Sequence, residues 1–371
     1  MKYAIRPWLI ATATAVLGLG VGFYLHAVAA SHRFSARAAI GRMIGLKPER
    51  GYTQGIDPNA APNPYGLQEN WAQLPADRKF GGVIKVQVDH SDGKSMWVFD
   101  RPAGGGVDCV YRECSNSMLP PLLKFDSSGK FITAFGAGMF AIPHGLYVDP
   151  DGNVWAGDET AFNGKGVDLI KFSPSGTVLM ILGKPGMPGN GRDYFTSASS
   201  VVVAPNGDIY VGDGHVGGSA SHRIVKFSKQ GKFIKAWGKH GYAAGEIDTP
   251  HGIALDSAGR VYVADRANNR IQIFSPDGEF IAEWKQFGRP SDVAIDKNDM
   301  IYVTDSRSTW KTNPGFQQGI RIGSVKDGKV TAFIPQMDET IGAPEGITVD
   351  EEGIIYASYT SKPAVRKFVK K

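Results

Sequence analysis

Cysteine is nearly absent. The 371 residues hold two, Cys109 and Cys114, which enclose four residues. A cysteine-built metal clip needs a second pair, so that class of module is excluded. In an oxidising compartment the two would close a small local disulfide. Runs of like charge are also missing. Beyond residue 30 the chain carries 39 basic and 36 acidic residues, a net of +3. That leaves no electrostatic footprint for nucleic acid. What is plentiful is glycine, 47 residues, which suits a chain with many tight turns. Hydrophobic residues make up 42%, the content of a folded chain and not of a disordered one.

Lys2 and Arg6 precede an apolar run from Pro7 to about Tyr24, and Ala27-Val28-Ala29 supplies a small-x-small cleavage pattern. Residues 1–30 read as a secretory signal peptide, with an uncleaved N-terminal membrane anchor as the alternative. Either way the expected location is secreted or periplasmic. Residues 31–65 read as a linker, with a short helix at Phe34–Met43.

From about Phe80 one pattern recurs. Its clearest copy is TPHGIALDSAGRVYVADRANNRIQIF at 249–274. Three short β-rich runs, Gly252–Asp256, Val261–Asp265 and Arg270–Phe274, are separated by turn residues. A fourth, Glu279–Trp284, follows the turn Pro276-Asp277-Gly278. Related units open at 83, 144, 201, 292 and 345, with a spacing of about 40–55 residues. Six four-stranded units predict an all-β, six-bladed β-propeller over 66–371. The sixth unit ends after its third strand, so the ring is expected to close with an N-terminal strand at roughly 67–76 (LQENWAQLPA).

These units resemble NHL repeats. FAIPHGLYVDPDGNVW (140–155), FSKQGKFIKAWG (227–238) and TPHGIALD…VADRANNRIQIF (249–274) further resemble the peptidyl-α-hydroxyglycine α-amidating lyase family. Secreted bacterial lyase-like propellers are closer still. The resemblance covers about residues 66–371 and implies a metal-dependent lyase.

Within an antiparallel blade, the start of the innermost strand and the end of the second strand share one face of the ring. Aligning the units places Ile84, His144, Ser199, His251, Ser291 and Glu345 around the mouth of the central channel. His144, His251 and Glu345 come from alternate blades, about 120° apart in a six-fold ring. Two imidazoles and a carboxylate with an open fourth position make a catalytic zinc set, although iron, manganese or cobalt could use it. The resembled family has a third histidine where Glu345 stands. Its calcium site takes a side chain from the next position, which here is Gly346, so calcium is not carried over.

The second strands end in Asp100-Arg101, Asp158-Glu159, Asp213-Gly214-His215, Asp265-Arg266, Asp305-Ser306-Arg307 and Tyr359-Thr360. The aspartates read as structural. Arg101 and Arg266 match family arginines that hold the substrate, and a guanidinium suits a carboxylate. His215 stands where the family places a tyrosine base, and its pKa near ~6.5 suits general-base work. His222, His240 and His90 have no comparable position and read as surface residues. Trp155, Tyr210, Tyr262, Tyr302 and Tyr356 recur at one blade position and read as packing between blades.

The leading expectation is therefore a metal-dependent lyase that splits a carbinolamide, N–CH(OH)–COO⁻, into an amide and glyoxylate. Its substrate would be a small molecule or a peptide, and the protein is expected to be a monomer. Two alternatives remain at this stage: a lactonase- or esterase-type metal hydrolase, and a non-catalytic propeller that binds protein or glycan.

Overall fold

The computed structural model describes residues 57–102, 112–215, 221–336 and 340–371. The signal segment, the Phe34–Met43 helix and Cys109 lie outside the described residues; Cys114 is disulfide-bonded. No helix among the described residues is long and apolar enough to cross a membrane.

Among the described residues, 24 strands form six four-stranded antiparallel sheets. Blade one is β2 (Val83–Val88), β3 (Met96–Asp100), β4 (Leu122–Phe125) and β5 (Phe131–Phe135). Blade two is β6 (Pro143–Val148), β7 (Val154–Asp158), β8 (Asp168–Phe172) and β9 (Val178–Gly183). Blade three is β10 (Ala198–Val203), β11 (Ile209–Asp213), β12 (Arg223–Phe227) and β13 (Phe233–Trp237). Blade four, the sequence template, is β14 (Pro250–Leu255), β15 (Val261–Asp265), β16 (Arg270–Phe274) and β17 (Phe280–Trp284). Blade five is β18 (Pro290–Ile295), β19 (Met300–Asp305), β20 (Gly319–Ser324) and β21 (Val330–Pro335). Blade six is β22 (Ile347–Val349), β23 (Ile355–Tyr359) and β24 (Ala364–Lys370), completed by β1 (Tyr65–Gln68). A short helix, α1 (Arg112–Asn116), lies between β3 and β4.

Burial explains the strand sequences. Neighbouring blades cover the second strand on both faces, so VWAGD, IYVGD and VYVAD are buried throughout. Fourth strands lie at the rim and are partly exposed. The aromatic of the second strand fills the gap between blades, and in blades two, four and five it satisfies its polar atom on an aspartate. Trp155 Nε1 donates to Asp149, Tyr262 OH to Asp256 and Tyr302 OH to Asp296. Burying one such ring contributes about 2–3 kcal/mol.

The ring closes where the sequence placed it, but not with the expected strand. Tyr65 pairs with Lys370 and Leu67 with Phe368, so the closing strand is 65–68 and not 67–76. The reason is Trp71. Its indole is buried in the core between blades six and one, against Tyr356 and Phe125. The chain therefore leaves the sheet after Gln68 and crosses to blade one. Residues 57–64, part of the expected linker, are also tied to the propeller. Pro62 O accepts from Phe333 N, and Asn59 Oδ1 accepts from the buried Arg321.

Candidate metal centre at the channel mouth

Each second strand of blades one to five ends in a fully buried aspartate: Asp100, Asp158, Asp213, Asp265 or Asp305. These carboxylates accept backbone N–H groups from the segment that enters the same blade's inner strand. Asp158 takes Ala141 and Ile142, and Asp100 takes Gly81 and Gly82. The entry segment is thus fixed before the inner strand begins. The ladder then shifts register around the second inner-strand residue in blades one to five. A bulge takes that residue out of pairing, so its side chain is re-aimed. In blades two and four it is His144 and His251.

Both rings are held from behind. His144 Nδ1 lies 2.6 Å from the carbonyl oxygen of Ser199, and His251 Nδ1 lies 2.5 Å from that of Ser291. Each carbonyl belongs to the equivalent position of the next blade. With Nδ1 donating its proton, Nε2 carries the lone pair. His144 Nε2 is buried and has no hydrogen-bond partner.

His215 supplies a third imidazole, two residues beyond Asp213. Its Nδ1 stands 2.9 Å from Glu159 Oε1, at ion-pair distance but off a hydrogen-bond axis. Its Nε2 lies 3.3 Å from Arg266 Nη2. The ring centroids of His144, His215 and His251 are 4.6–5.0 Å apart. One ligand atom from each lies within 4.8 Å of the other two.

Glu345 flanks this cluster from blade six. Its Oε1 is 3.4 Å from His251 Nε2 and 3.2 Å from Arg266 Nη1, and Ser306 Oγ donates to Oε2 at 2.7 Å. Arg101 approaches from blade one, donating to Glu159 Oε2 at 2.8 Å and to Pro143 O at 2.9 Å. All six sequence-derived residues therefore meet in one place. The histidines form the compact group, and Glu345 sits beside it in a bonded carboxylate pocket. Sequence reasoning missed Glu159 and Ser306. The signal was present, since both follow the strand-end aspartate, where Arg101 and Arg266 also stand.

Glycine follows His144, His251 and Glu345, and it has a packing cause. At Gly252 a Cβ would come 2.5 Å from Asp292 Oδ1 and 2.9 Å from Asp292 Cα. At Gly346 it would meet Ser358 Oγ at 2.6 Å and Ile84 O at 2.8 Å. Adjacent inner strands can approach this closely only without a side chain. Deeper in the channel, Lys85 of blade one reaches Asp292 of blade five. Asp292 Oδ2 also accepts Ile347 N from blade six at 2.9 Å.

Burial lowers the pKa of His144 and His251 well below the ordinary histidine value, with neighbouring positive groups adding to it. Burial also lowers that of His215, against the pull of Glu159. For Glu159 burial alone would raise the carboxyl pKa, but His215 and Arg101 outweigh it and hold the group well below the usual range. Burial brings Arg266 down to about 10 despite Glu345. Neutral imidazoles with their far nitrogens anchored are the state that binds a divalent ion. The donor set fits zinc or a similar transition metal.

A family model for the NHL repeat matches residues 248–274. Peptidyl-glycine α-amidating monooxygenase B of Xenopus laevis is 31% identical over 65% of this chain, which spans 28% of that protein's length. A probable peptidyl-α-hydroxyglycine α-amidating lyase of Caenorhabditis elegans is 35% identical over 37% of this chain and 38% of its own length. Among solved structures, a gluconolactonase of Xanthomonas campestris superposes with a TM-score of 0.55 at 13% identity, covering 84% of this chain and 98% of that one. That last likeness is one of fold.

Proposed function

This chain is a six-bladed NHL-repeat propeller similar to amidating lyases, and we propose that it is itself a metal-dependent C–N lyase. The observation that carries the reading is the convergence of three imidazoles on one point, two of them anchored by backbone carbonyls. His144, His215 and His251 would hold the ion, zinc by the character of the donors. The substrate is a carbinolamide, N–CH(OH)–COO⁻, and the products are an amide and glyoxylate. When bound, the ion supplies Lewis acidity that lowers the hydroxyl's pKa.

The chain's own groups do the rest. The role first read for His215 passes to Glu345, because His215 belongs to the compact ligand group. Glu345 takes the hydroxyl proton. The C–O bond becomes C=O as the C–N bond breaks, and the electron pair of that bond stays on nitrogen. Glu345 returns the proton to that nitrogen, so the atoms balance. Ser306 keeps the carboxylate oriented through its 2.7 Å bond. Arg101 and Arg266, on opposite sides of the cluster, draw in the substrate carboxylate and offset charge on the reacting oxygen. Glu159 orients His215 and Arg101 together.

The test is glyoxylate release from α-hydroxyhippurate, expected to vanish on chelation and to return with added zinc. A zinc-replete preparation that turns over no α-hydroxyglycine overturns the reading. A lactone panel run beside it separates a hydrolase, for which Glu345 could activate water.

A further inference from the structure

His222, His240 and Asp248 lie together outside the central site. No sequence motif joins them: His222 precedes β12, His240 follows β13, and Asp248 precedes β14. The blade pattern puts all three strand ends at the mouth face of the ring. One nitrogen of each imidazole and one carboxylate oxygen lie within 4.8 Å of one another. The rings are 4.5 Å apart, centroid to centroid.

The spacing is informative. His222 Nδ1 to Asp248 Oδ1 is 3.8 Å, and His240 Nε2 to Asp248 Oδ2 is also 3.8 Å. Both are too long for a hydrogen bond. Two donors at about 2.1 Å from one tetrahedral ion stand roughly 3.4 Å apart. Each His–Asp pair is about 0.4 Å wider than that.

The backbones that carry the donors are already held. Asp248 N donates to the buried Asp265 at 2.7 Å, and Asp248 O accepts from Ala267 N at 3.0 Å. Ile247 N donates to Lys239 O at 2.8 Å, which ties the His240 segment to the Asp248 segment. Thr249 N donates to His222 Nδ1 at 3.3 Å, a long bond that a cation on that nitrogen would displace. His222 and Asp248 are mostly buried, whereas the His240 side chain is 58% exposed. One side of the set is therefore open to water.

We infer that His222, His240 and Asp248 form a second binding site for a divalent transition metal, which clips blade three to blade four. Two imidazoles and a carboxylate select zinc-like ions over calcium or magnesium, which prefer oxygen donors. The inference stands apart from the reading of the central site.

The experiment titrates Zn2+ into the metal-stripped full chain by calorimetry, with circular dichroism to verify each variant's fold. Wild type is expected to take two ions per chain. His240→Ala and Asp248→Asn are each expected to lose one ion, or to weaken one site at least tenfold, with the other site intact. His144→Ala is expected to lose the other ion and keep the outer one. Loss of a single bound ion in His240→Ala, where wild type binds only one, supports the outer site and counts against the central one. Unchanged stoichiometry and affinity in both His240→Ala and Asp248→Asn overturns the inference.

Discussion

Glu159 Oε1 stands 2.9 Å from His215 Nδ1 while Glu159 Oε2 accepts a 2.8 Å bond from Arg101. One carboxylate from blade two thereby positions an imidazole of blade three and a guanidinium of blade one. Partners behind metal-bound histidines typically govern affinity by 10–100-fold. Glu159→Gln is expected to weaken zinc binding at the central site by about that factor, read by competition with a chelator. Unaltered affinity would remove Glu159 from any role behind His215.

The assignments of His251 and Glu345 separate in a paired measurement of metal content and turnover. His251→Ala should lose the central ion and, with it, glyoxylate release. Glu345→Gln should keep the ion and lose roughly 10²–10⁴ in kcat. Loss of metal from Glu345→Gln would instead return Glu345 to the ligand set.

Gly252→Ala should destabilise the ring. The added methyl meets backbone of the neighbouring inner strand, which has no slack to yield. Overpacking of this kind costs about 1–3 kcal/mol, seen as a fall of several degrees in Tm by calorimetry. An unchanged Tm would mean that the inner strands pack more loosely than described.

Asp158 gives a pH dependence whose sign can be worked out. Burial raises its pKa from 3.8 to about 7, against the amides of Ile142 and Ala141. A folded-state pKa above the unfolded value contributes stability that is full below about pH 4 and is lost as pH rises through about 7. Asp158→Asn has no such titration. The Tm advantage of wild type over this variant should therefore be larger at pH 5 than at pH 8. The difference corresponds to something on the order of 3 kcal/mol. A constant gap across that range would show that the carboxylate stays ionised in the folded protein.

The blades were legible because their signals are local. Short β-rich runs, a turn every few residues and an aromatic in the second strand all repeat within a few dozen positions. Inner-strand alignment also brought His144 and His251 to one mouth without coordinates. The closing strand was misplaced because Trp71 is as apolar as a strand residue, and only the pairing of Tyr65 with Lys370 tells the two apart. Glu159 and Ser306 went unassigned because their partners, Arg101 and Glu345, lie 58 and 39 residues away in the chain.

The sequence by itself determined six units, their order, the residues ringing the mouth and the likeness to a lyase family. Tertiary structure alone decided that His215 joins the two strand-borne histidines and that Glu345 is held aside by Arg266 and Ser306. It also decided that His222, His240 and Asp248 share a corner. The physical reason is that repeat periodicity fixes where a backbone returns. Which side chains then touch depends on loop paths and hydrogen bonds between blades, and these have no period to read.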